Sequence, residues 1–290
     1  MADRRKVAGV FEGDGFHWVG DGFHVTQLFP SPNDLTERLS PFLLMDYGAP
    51  HDYEPTTTPR GVGVHPHRGF ETVTVAFEGA LAHHDSSGGG GVIRAGDVQW
   101  MTAARGILHK EYHDAEWAET GGRMHMMQLW VNLPAANKMD DPKYQSLTAD
   151  AMGVVDLAGD NGRVRIIAGE YQGVRGPAET FTQVDLWDAT LNPGGSMELS
   201  FPATDNAALF VMDGTVEANG AIARQNSLVL FENQGEDIAV AAEAGARFLV
   251  LAGTPIDEPV VSYGPFVMNT RAEIVEAIDA FNAGEFGSLN

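Results

Sequence analysis

The chain has 290 residues, with 40 acidic and 18 basic side chains, a formal net charge of −22, and no cysteine. The missing cysteines exclude disulfides, thiolate metal sites and thiol nucleophiles, and the acidic excess disfavours direct contact with nucleic acid or anionic lipid. No stretch approaches the ~20 apolar residues needed to cross a bilayer, so we expect a cytoplasmic protein without membrane contact.

Short runs of β-branched and aromatic residues recur along the chain, separated by Gly, Pro, Asn or Asp. They include ETVTVAF, MQLWVNL, RVRIIAG, LVLFEN and RFLVLAG. Each has the length of a strand, and their spacing is typical of a barrel or sandwich. In VMDGTVEANG, the pair Asp213-Gly214 is of the kind that two-residue hairpin turns prefer. The sequence therefore predicts an all-β protein with a hairpin turn at this pair.

The apolar pattern fades in the middle of the chain, at NLPAANKMDDPKYQSL. We therefore expect an N-terminal domain over residues 1–134, a linker over 135–147 and a C-terminal domain over 148–290.

All ten histidines lie at or before His125. A histidine-based metal site can belong only to the N-terminal domain, so the C-terminal domain is expected to be structural or to set specificity.

A helix is predicted near the C-terminus, in NTRAEIVEAIDAFNAGEFG. Thr270 and Glu273 have the spacing of a capping box, and Gly284 is a plausible stop signal. Four apolar side chains share one face of this helix, which predicts that it docks on a barrel. They are Ile274, Ala277, Ile278 and Phe281.

Two pairs of potential metal ligands have the same spacing. His65 and His67 are separated by one residue in HPHRGFETVTVAF, and His109 and Glu111 are separated by one residue in GILHKEYH. On extended strands each pair points to one face, so facing strands would bring three imidazoles and a carboxylate together. Such a set can fill four positions of an octahedron and leave two open for substrate and O2.

Spacing alone leaves two other interpretations open. The histidines can be ordinary surface or hydrogen-bonded side chains, because HxH pairs also occur by chance. Alternatively, His109 and His113 stand four apart and would form a two-histidine metal face if this segment were helical. Gly106 and the strand-like pair Ile107-Leu108, which precede His109, argue against the helix.

Five separated blocks together resemble the pirin family, a branch of the cupin superfamily. They follow the family's order over nearly the whole chain: HPHRGFETVT, GDVQWMTAARGILHKE, QLWVNLP, KMDDPKYQ and EPVVSYGPFVMNT. One departure from the broader cupin pattern is Ala104, which stands where a proline is usual. The resemblance implies a bicupin, with two tandem double-stranded β-helix (jelly-roll) barrels and the metal in the N-terminal one.

The resemblance also assigns metal-ligand roles to His65, His67, His109 and Glu111. Glu71, a ligand in many other cupins, is expected to support the ligands from behind or to be structural. Fe(II) is the metal that the family implies. Mn, Ni, Co, Cu and Zn are also compatible with nitrogen and oxygen donors.

Several pirins open the central ring of a flavonol with O2 and release CO, so the resemblance implies a quercetin 2,3-dioxygenase. Glu111 would then be the catalytic base as well as a ligand. Four side chains near the motifs could wall a pocket for a polyphenol, although we favour a place for most of them in the barrel core. They are Phe70, Trp100, Met101 and Met126. Substrate contacts are therefore left unassigned.

The family also implies an alternative function. Some pirins are non-enzymatic, iron-dependent redox sensors that regulate a transcription-factor or metabolic-enzyme partner. Because the chain offers no basic patch for DNA, such a role would act through a protein partner. A third, weaker possibility is another cupin reaction on a small acid, since the pocket rather than the ligand set decides the substrate.

Overall fold

The structure is a computed structural model that describes residues 4–31 and 33–289. Most of this part of the chain is β-strand, which confirms the all-β prediction. The strands before residue 148 are β1 (Val7–Glu12), β2 (Phe16–Val19), β3 (Phe23–Phe29), β4 (Phe42–Tyr53), β5 (Gly61–His67), β6 (Phe70–Glu78), β7 (Ala80–Asp85), β8 (Gly90–Arg94), β9 (Val98–Thr102), β10 (Ile107–His113), β11 (Gly122–Asn132) and β12 (Lys143–Leu147).

The rest of the described chain continues in the same way. The strands that follow are β13 (Gly153–Leu157), β14 (Gly162–Ala168), β15 (Glu170–Tyr171), β16 (Val174–Arg175), β17 (Val184–Leu191), β18 (Gly195–Ser200), β19 (Asn206–Ala218), β20 (Ala221–Arg224), β21 (Ser227–Phe231), β22 (Asp237–Ala242), β23 (Ala246–Gly253), β24 (Val261–Tyr263) and β25 (Phe266–Met268). The α-helices are α1 (Thr36–Leu39), α2 (Ala115–Thr120) and α3 (Arg271–Asn282).

The chain forms two compact units whose segments interleave along the sequence. The histidine unit consists of Gly15–Gln27, Phe42–Ala149 and the chain from Ile256 onward. The histidine-free unit consists of the chain up to Asp14, Leu28–Pro41 and Asp150–Pro255. The expected linker at 135–147 ends just before the change of unit at residue 150. The linear division into 1–134 and 148–290 stays a prediction.

Besides the short two-stranded sheet β24-β25, the described part of the histidine unit contains two larger antiparallel sheets. One has the strand order β5-β10-β7-β8, and the other has the order β12-β9-β6-β11-β4-β3-β2. Burial alternates along β10, because its odd-numbered residues face inward and its even-numbered residues are partly exposed. This alternation gives β10 one inward face, formed by Ile107, His109, Glu111 and His113.

The histidine-free unit is built around the strand order β1-β21-β19-β23-β17-β14-β13, with β18, β20 and β22 attached to it. Its core is aliphatic and aromatic and includes Trp187, Phe201, Phe231 and Phe248. Such a core stabilises the barrel by burying apolar surface, and the residues described in it include no histidine or carboxylate.

The predicted C-terminal helix is confirmed as α3. Thr270 Oγ1 accepts a hydrogen bond from the Glu273 backbone, and the Glu273 side chain accepts from the Thr270 backbone, which completes the capping box. Ile274 and Ala277 are buried on its docking face. Among the described residues, no helix combines the length and apolar character that crossing a membrane requires.

The predicted hairpin turn at Asp213-Gly214 is wrong. Both residues lie inside β19, beside an irregularity in its pairing with β23, and Gly214 has φ +78°. The turn follows at Asn219-Gly220, where both residues have positive φ, as a type I′ turn requires. The Asp-Gly pair therefore lies within a strand beside an irregularity here, and the Asn-Gly pair forms the turn.

Candidate metal centre

Three neighbouring strands of the four-stranded sheet each present two potential ligands to the inside of the histidine unit. Strand pairing places His109 opposite His65 on one side and opposite Asp85 on the other. Residues at i and i+2 share a face, so all six side chains lie on one face of the sheet. They are His65 and His67 on β5, His109 and Glu111 on β10, and His83 and Asp85 on β7.

Three of the predicted ligands form a tight imidazole cluster. His65, His67 and His109 each offer a ring nitrogen, and these nitrogens all lie within 4.8 Å of one another. The His109 ring centroid is 4.2 Å from that of His65 and 4.7 Å from that of His67. His65 Nδ1 lies 2.8 Å from the Gly63 carbonyl oxygen, to which the Nδ1–H tautomer donates. That contact leaves His65 Nε2 available to bind a metal ion.

Burial favours the neutral form of two of these imidazoles. It lowers the pKa of His67 and His109 well below the ordinary value, and the neighbouring imidazoles lower it further. His67 Nδ1 and His109 Nε2 are buried, and neither has a hydrogen-bond partner among residues 4–31 and 33–289. Because metal ligands must be deprotonated, neutral rings with partnerless nitrogens are suited to binding a cation.

Glu111 lies in a second group of potential ligands that overlaps the first. A carboxylate oxygen of Glu111 and a nitrogen from each of His83 and His109 lie within 4.8 Å of one another. His109 therefore belongs to both groups. The predicted set of three histidines and Glu111 is divided between them, so its action as one ligand shell stays a prediction.

A row of polar side chains on the seven-stranded sheet faces Glu111. Gln99, Thr74 and Gln128 are register neighbours on β9, β6 and β11. Thr74 Oγ1 donates to Glu111 Oε1 over 3.1 Å, Gln99 Nε2 donates to the same oxygen, and Gln128 Nε2 donates to Oε2 over 2.8 Å. Sequence reasoning missed this row. Each member is a polar residue with an apolar residue on either side of it in the strand, which is the signal that could have found it.

The β7 pair lies behind His109. His83 is 0% exposed, and its Nε2 lies 3.1 Å from Asp85 Oδ2. Burial raises the pKa of Asp85, but hydrogen bonds from His83, Ser87 and Gly89 outweigh burial and lower the pKa overall. His83 Nδ1 lies 3.3 Å from His109 Nδ1. Sequence reasoning gave this pair no role, although HHD has the spacing that singled out the other two pairs.

Two further sequence candidates belong to neither group of potential ligands. Glu71 is buried on β6 and accepts a 2.7 Å hydrogen bond from Thr102 Oγ1, while burial raises its pKa to about 7. Its role behind the ligands stays a prediction. His113 lies on strand β10, with Nε2 2.8 Å from the Gly22 carbonyl oxygen, so the helical two-histidine interpretation is wrong.

A cavity of about 260 Å³ opens onto the imidazole cluster. Its polar lining includes His65, His67, Glu111, Gln128 and Asp46, and its apolar lining includes Phe23, Val25, Met126 and Trp130. Of the four side chains considered for a pocket wall, only Met126 lines this cavity. Phe70, Trp100 and Met101 are fully buried, as expected for the core.

Two family models match the chain. The Pirin model matches residues 22–131, and the model of the Pirin C-terminal cupin domain matches residues 186–287. The chain belongs to the pirin family. Its membership confirms the resemblance, and the C-terminal match confirms that a second cupin domain follows the first.

Relatives of this pirin cover almost its whole length. A Pseudomonas aeruginosa protein provisionally named as a quercetin 2,3-dioxygenase is 46% identical over 282 residues, which are 97% of this chain and 98% of that protein. A pirin-like protein of Solanum lycopersicum is 38% identical over 276 residues, 92% of this chain and 88% of that protein. The crystal structure of quercetin 2,3-dioxygenase from Acinetobacter baumannii matches with a TM-score of 0.95, 47% identity and 99% coverage of both chains. The match confirms the bicupin fold.

The turn before β10 of this pirin cannot hold the proline that cupins usually have there. Ala104 has φ +41°, whereas the proline ring fixes φ near −65°. Ala104 is also fully buried. Ala104, which stands in place of the usual proline, therefore has a backbone conformation that a proline could not adopt.

The residues of this pirin fit a divalent metal bound through nitrogen and oxygen. Each of the three clustered histidines contributes one ring nitrogen, Nε2 of His109 is buried without a hydrogen-bond partner in the described part of the chain, and a carboxylate lies next to the same histidine. Imidazole with carboxylate is a donor set that several transition metals accept, so the donors alone do not select one metal. The cluster can therefore hold a metal ion.

Proposed function

We propose that this pirin is a metal-dependent dioxygenase that opens the central ring of a flavonol such as quercetin with O2 and releases CO. The proposed ligands are His65, His67, His109 and Glu111, and the proposed metal is Fe(II). The observation that carries the proposal is a cluster of three imidazoles, two of which line a largely apolar cavity together with Glu111. The similarity to the quercetin 2,3-dioxygenase of Acinetobacter baumannii supports the substrate class.

Glu111 would accept the proton of the flavonol 3-hydroxyl, because its carboxylate lines the cavity. Hydrogen bonds from Thr74, Gln99 and Gln128 hold this carboxylate before substrate arrives, which reduces the ordering needed in the reaction. When bound, the metal would lower the pKa of the substrate hydroxyl and supply redox chemistry for the reaction with O2. Flavonol and O2 together provide all the electrons, so no external reductant is required.

The apolar lining would exclude water from the substrate. Phe23, Met126 and Trp130 offer flat or flexible surfaces against which aromatic rings can pack. Asp46 lies in the same lining, accepts a 3.0 Å hydrogen bond from Gln27, and has a pKa that burial raises. It would provide a polar contact for a phenolic hydroxyl, whereas the metal ligands would contact the reacting ring.

Iron-loaded protein incubated with quercetin tests the proposal. In air, the flavonol absorbance should fall and CO should appear, whereas neither should change without O2. His65→Ala should lose iron and turnover together. His84→Ala removes the neighbouring, exposed histidine of β7 and should keep both.

Full iron occupancy without turnover of quercetin or related polyphenols would contradict the enzymatic proposal. The next candidate would then be the non-enzymatic, iron-dependent regulator. Its partner should bind the Fe(II) and Fe(III) forms with different affinity, which a pull-down at two fixed potentials can measure.

A further inference from the structure

His83 and Asp85 have no part in the proposed chemistry, yet they lie directly against a proposed ligand. His83 Nε2 is 3.1 Å from Asp85 Oδ2, and His83 Nδ1 is 3.3 Å from His109 Nδ1. Both side chains are buried, and His83 is stacked on the ring of Tyr144 at a centroid distance of 5.0 Å. The Asp85 carboxylate and the imidazoles of His83 and His109 thus form a continuous chain, which ends at the His109 nitrogen that has no hydrogen-bond partner among the described residues.

The orientation of the Asp85 carboxylate is fixed by three donors on its far oxygen. Oδ1 accepts from Ser87 N over 2.9 Å, from Ser87 Oγ over 2.7 Å and from Gly89 N over 2.9 Å. The other oxygen, Oδ2, is left facing His83. An ionised carboxylate only accepts hydrogen bonds, so His83 must place its proton on Nε2 to donate to it.

The same reasoning extends to His109. A neutral His83 with its proton on Nε2 has a lone pair on Nδ1 and can accept there. His109 then donates from Nδ1, which leaves its Nε2 with a lone pair. That nitrogen is the one that is buried without a hydrogen-bond partner in the described part of the chain.

We propose that Asp85 and His83 are positioning residues that hold His109 in its Nδ1–H tautomer and thereby keep Nε2 of His109 ready to bind the metal. This inference rests on the proposed metal centre. A carboxylate or carbonyl behind a ligating histidine commonly fixes its tautomer. Here the carboxylate acts through an intervening imidazole, and one anion therefore sets the proton positions of two rings.

A competing arrangement would place a second metal between His83 and His109. Two Nδ1 atoms 3.3 Å apart can also be neighbouring ligands, and Glu111 lies in the same group. For a neutral His109, however, a lone pair on Nδ1 requires a proton on Nε2. The second site would therefore remove His109 from the cluster with His65 and His67, so the two arrangements exclude each other.

Asp85→Asn tests this hydrogen-bond relay, which runs from Asp85 through His83 to His109, without changing the size of the side chain. The three donors around Oδ1 should retain the amide oxygen there, which turns the NH2 group toward His83. His83 Nε2 then has to accept, its Nδ1 carries the proton, and His109 is driven to the Nε2–H tautomer. Ser87→Ala is the matched control, because it removes one donor to Oδ1 and leaves the contact between Asp85 and His83 intact.

Two measurements detect the expected change in the His109 tautomer and in metal affinity. In metal-free protein labelled with 15N-histidine, two-bond 1H–15N correlation spectra should assign His109 as Nδ1–H in the wild type and Ser87→Ala, and as Nε2–H in Asp85→Asn. Titration with Co(II), followed by its visible absorption, should give one site in the wild type. Its affinity should fall on the order of 10- to 100-fold in Asp85→Asn and stay within about 2-fold in Ser87→Ala.

The relay would be overturned by any of three results. These are an Nε2–H tautomer of His109 in the wild type, two Co(II) ions per wild-type chain, or wild-type Co(II) affinity in Asp85→Asn. Thermal melting of both variants establishes that they are folded before affinities are compared. Because the NMR readout needs neither metal nor substrate, a failure to turn over quercetin would contradict the proposed function and leave the relay standing.

Discussion

Replacing Glu71 by glutamine should make the stability of the protein less dependent on pH. Glu71 is 1% exposed, and burial raises its pKa from the ordinary 4.5 to about 7 against an opposing hydrogen bond from Thr102. A carboxyl with the higher pKa in the folded state binds its proton more tightly there. Its stabilising contribution is therefore full below about pH 4.5 and is lost as the pH rises toward 7. The interval from 4.5 to about 7, at about 1.36 kcal/mol per pKa unit, corresponds to about 3 kcal/mol.

The Glu71→Gln variant keeps an acceptor for the Thr102 hydroxyl and never ionises. Urea titrations between about pH 4 and pH 8 should show the free energy of unfolding of the wild type falling by about 3 kcal/mol relative to the variant. Glu78→Gln changes an exposed residue of the same strand and should follow the wild type. The reasoning would be refuted if the free energies of unfolding of the wild type and Glu71→Gln differed by the same amount at both ends of this pH range.

Three further outcomes are expected. Fe(II) at about 100 times its Kd should raise the free energy of unfolding by about 2.7 kcal/mol, and thermal melts should show no such rise in His65→Ala. Lys138→Met should lower that free energy by about 2–5 kcal/mol in urea titrations, because the buried ammonium donates to three oxygens, one of them the Gly69 carbonyl. Trp130→Ala should raise KM for the flavonol more than it lowers kcat in steady-state assays, because it removes an apolar wall, and a loss confined to kcat would contradict that role.

Those features that depend on local chemistry could be predicted from the sequence. The capping box of Thr270 and Glu273 specifies the start of α3 with neighbouring residues alone. The spacing of His65 with His67, and of His109 with Glu111, places each pair on one strand face whatever the partner strands are. The three histidines do meet in the fold, as strand geometry and the family resemblance both led us to expect.

Features that depend on pairing between distant strands could not be predicted in the same way. The row of Gln99, Thr74 and Gln128 exists only because β9, β6 and β11 lie side by side in one register. The HHD spacing on β7 was visible in the sequence. Its meaning depends on the placement of Asp85 opposite His109, which is set by the pairing of β7 with β10. Likewise, Asp213-Gly214 has turn chemistry, but the adjacent strand β23 keeps this pair within β19.

The pairing of β5 with β10 shows how such a register can shape the candidate site. His65 lies opposite His109, whereas Glu111 lies opposite Val62, so β5 holds one extra residue between these two pairs. A bulge of this kind bends a strand and re-aims the side chains beside it. Gly63 lies within this irregular stretch, and its carbonyl oxygen is the atom 2.8 Å from His65 Nδ1. The other edge of β10 pairs regularly with β7, which brings Asp85 and His83 behind His109. If the proposed metal is bound, the bulge on one side and the regular register on the other would thus favour Nε2 as the ligand atom of both His65 and His109.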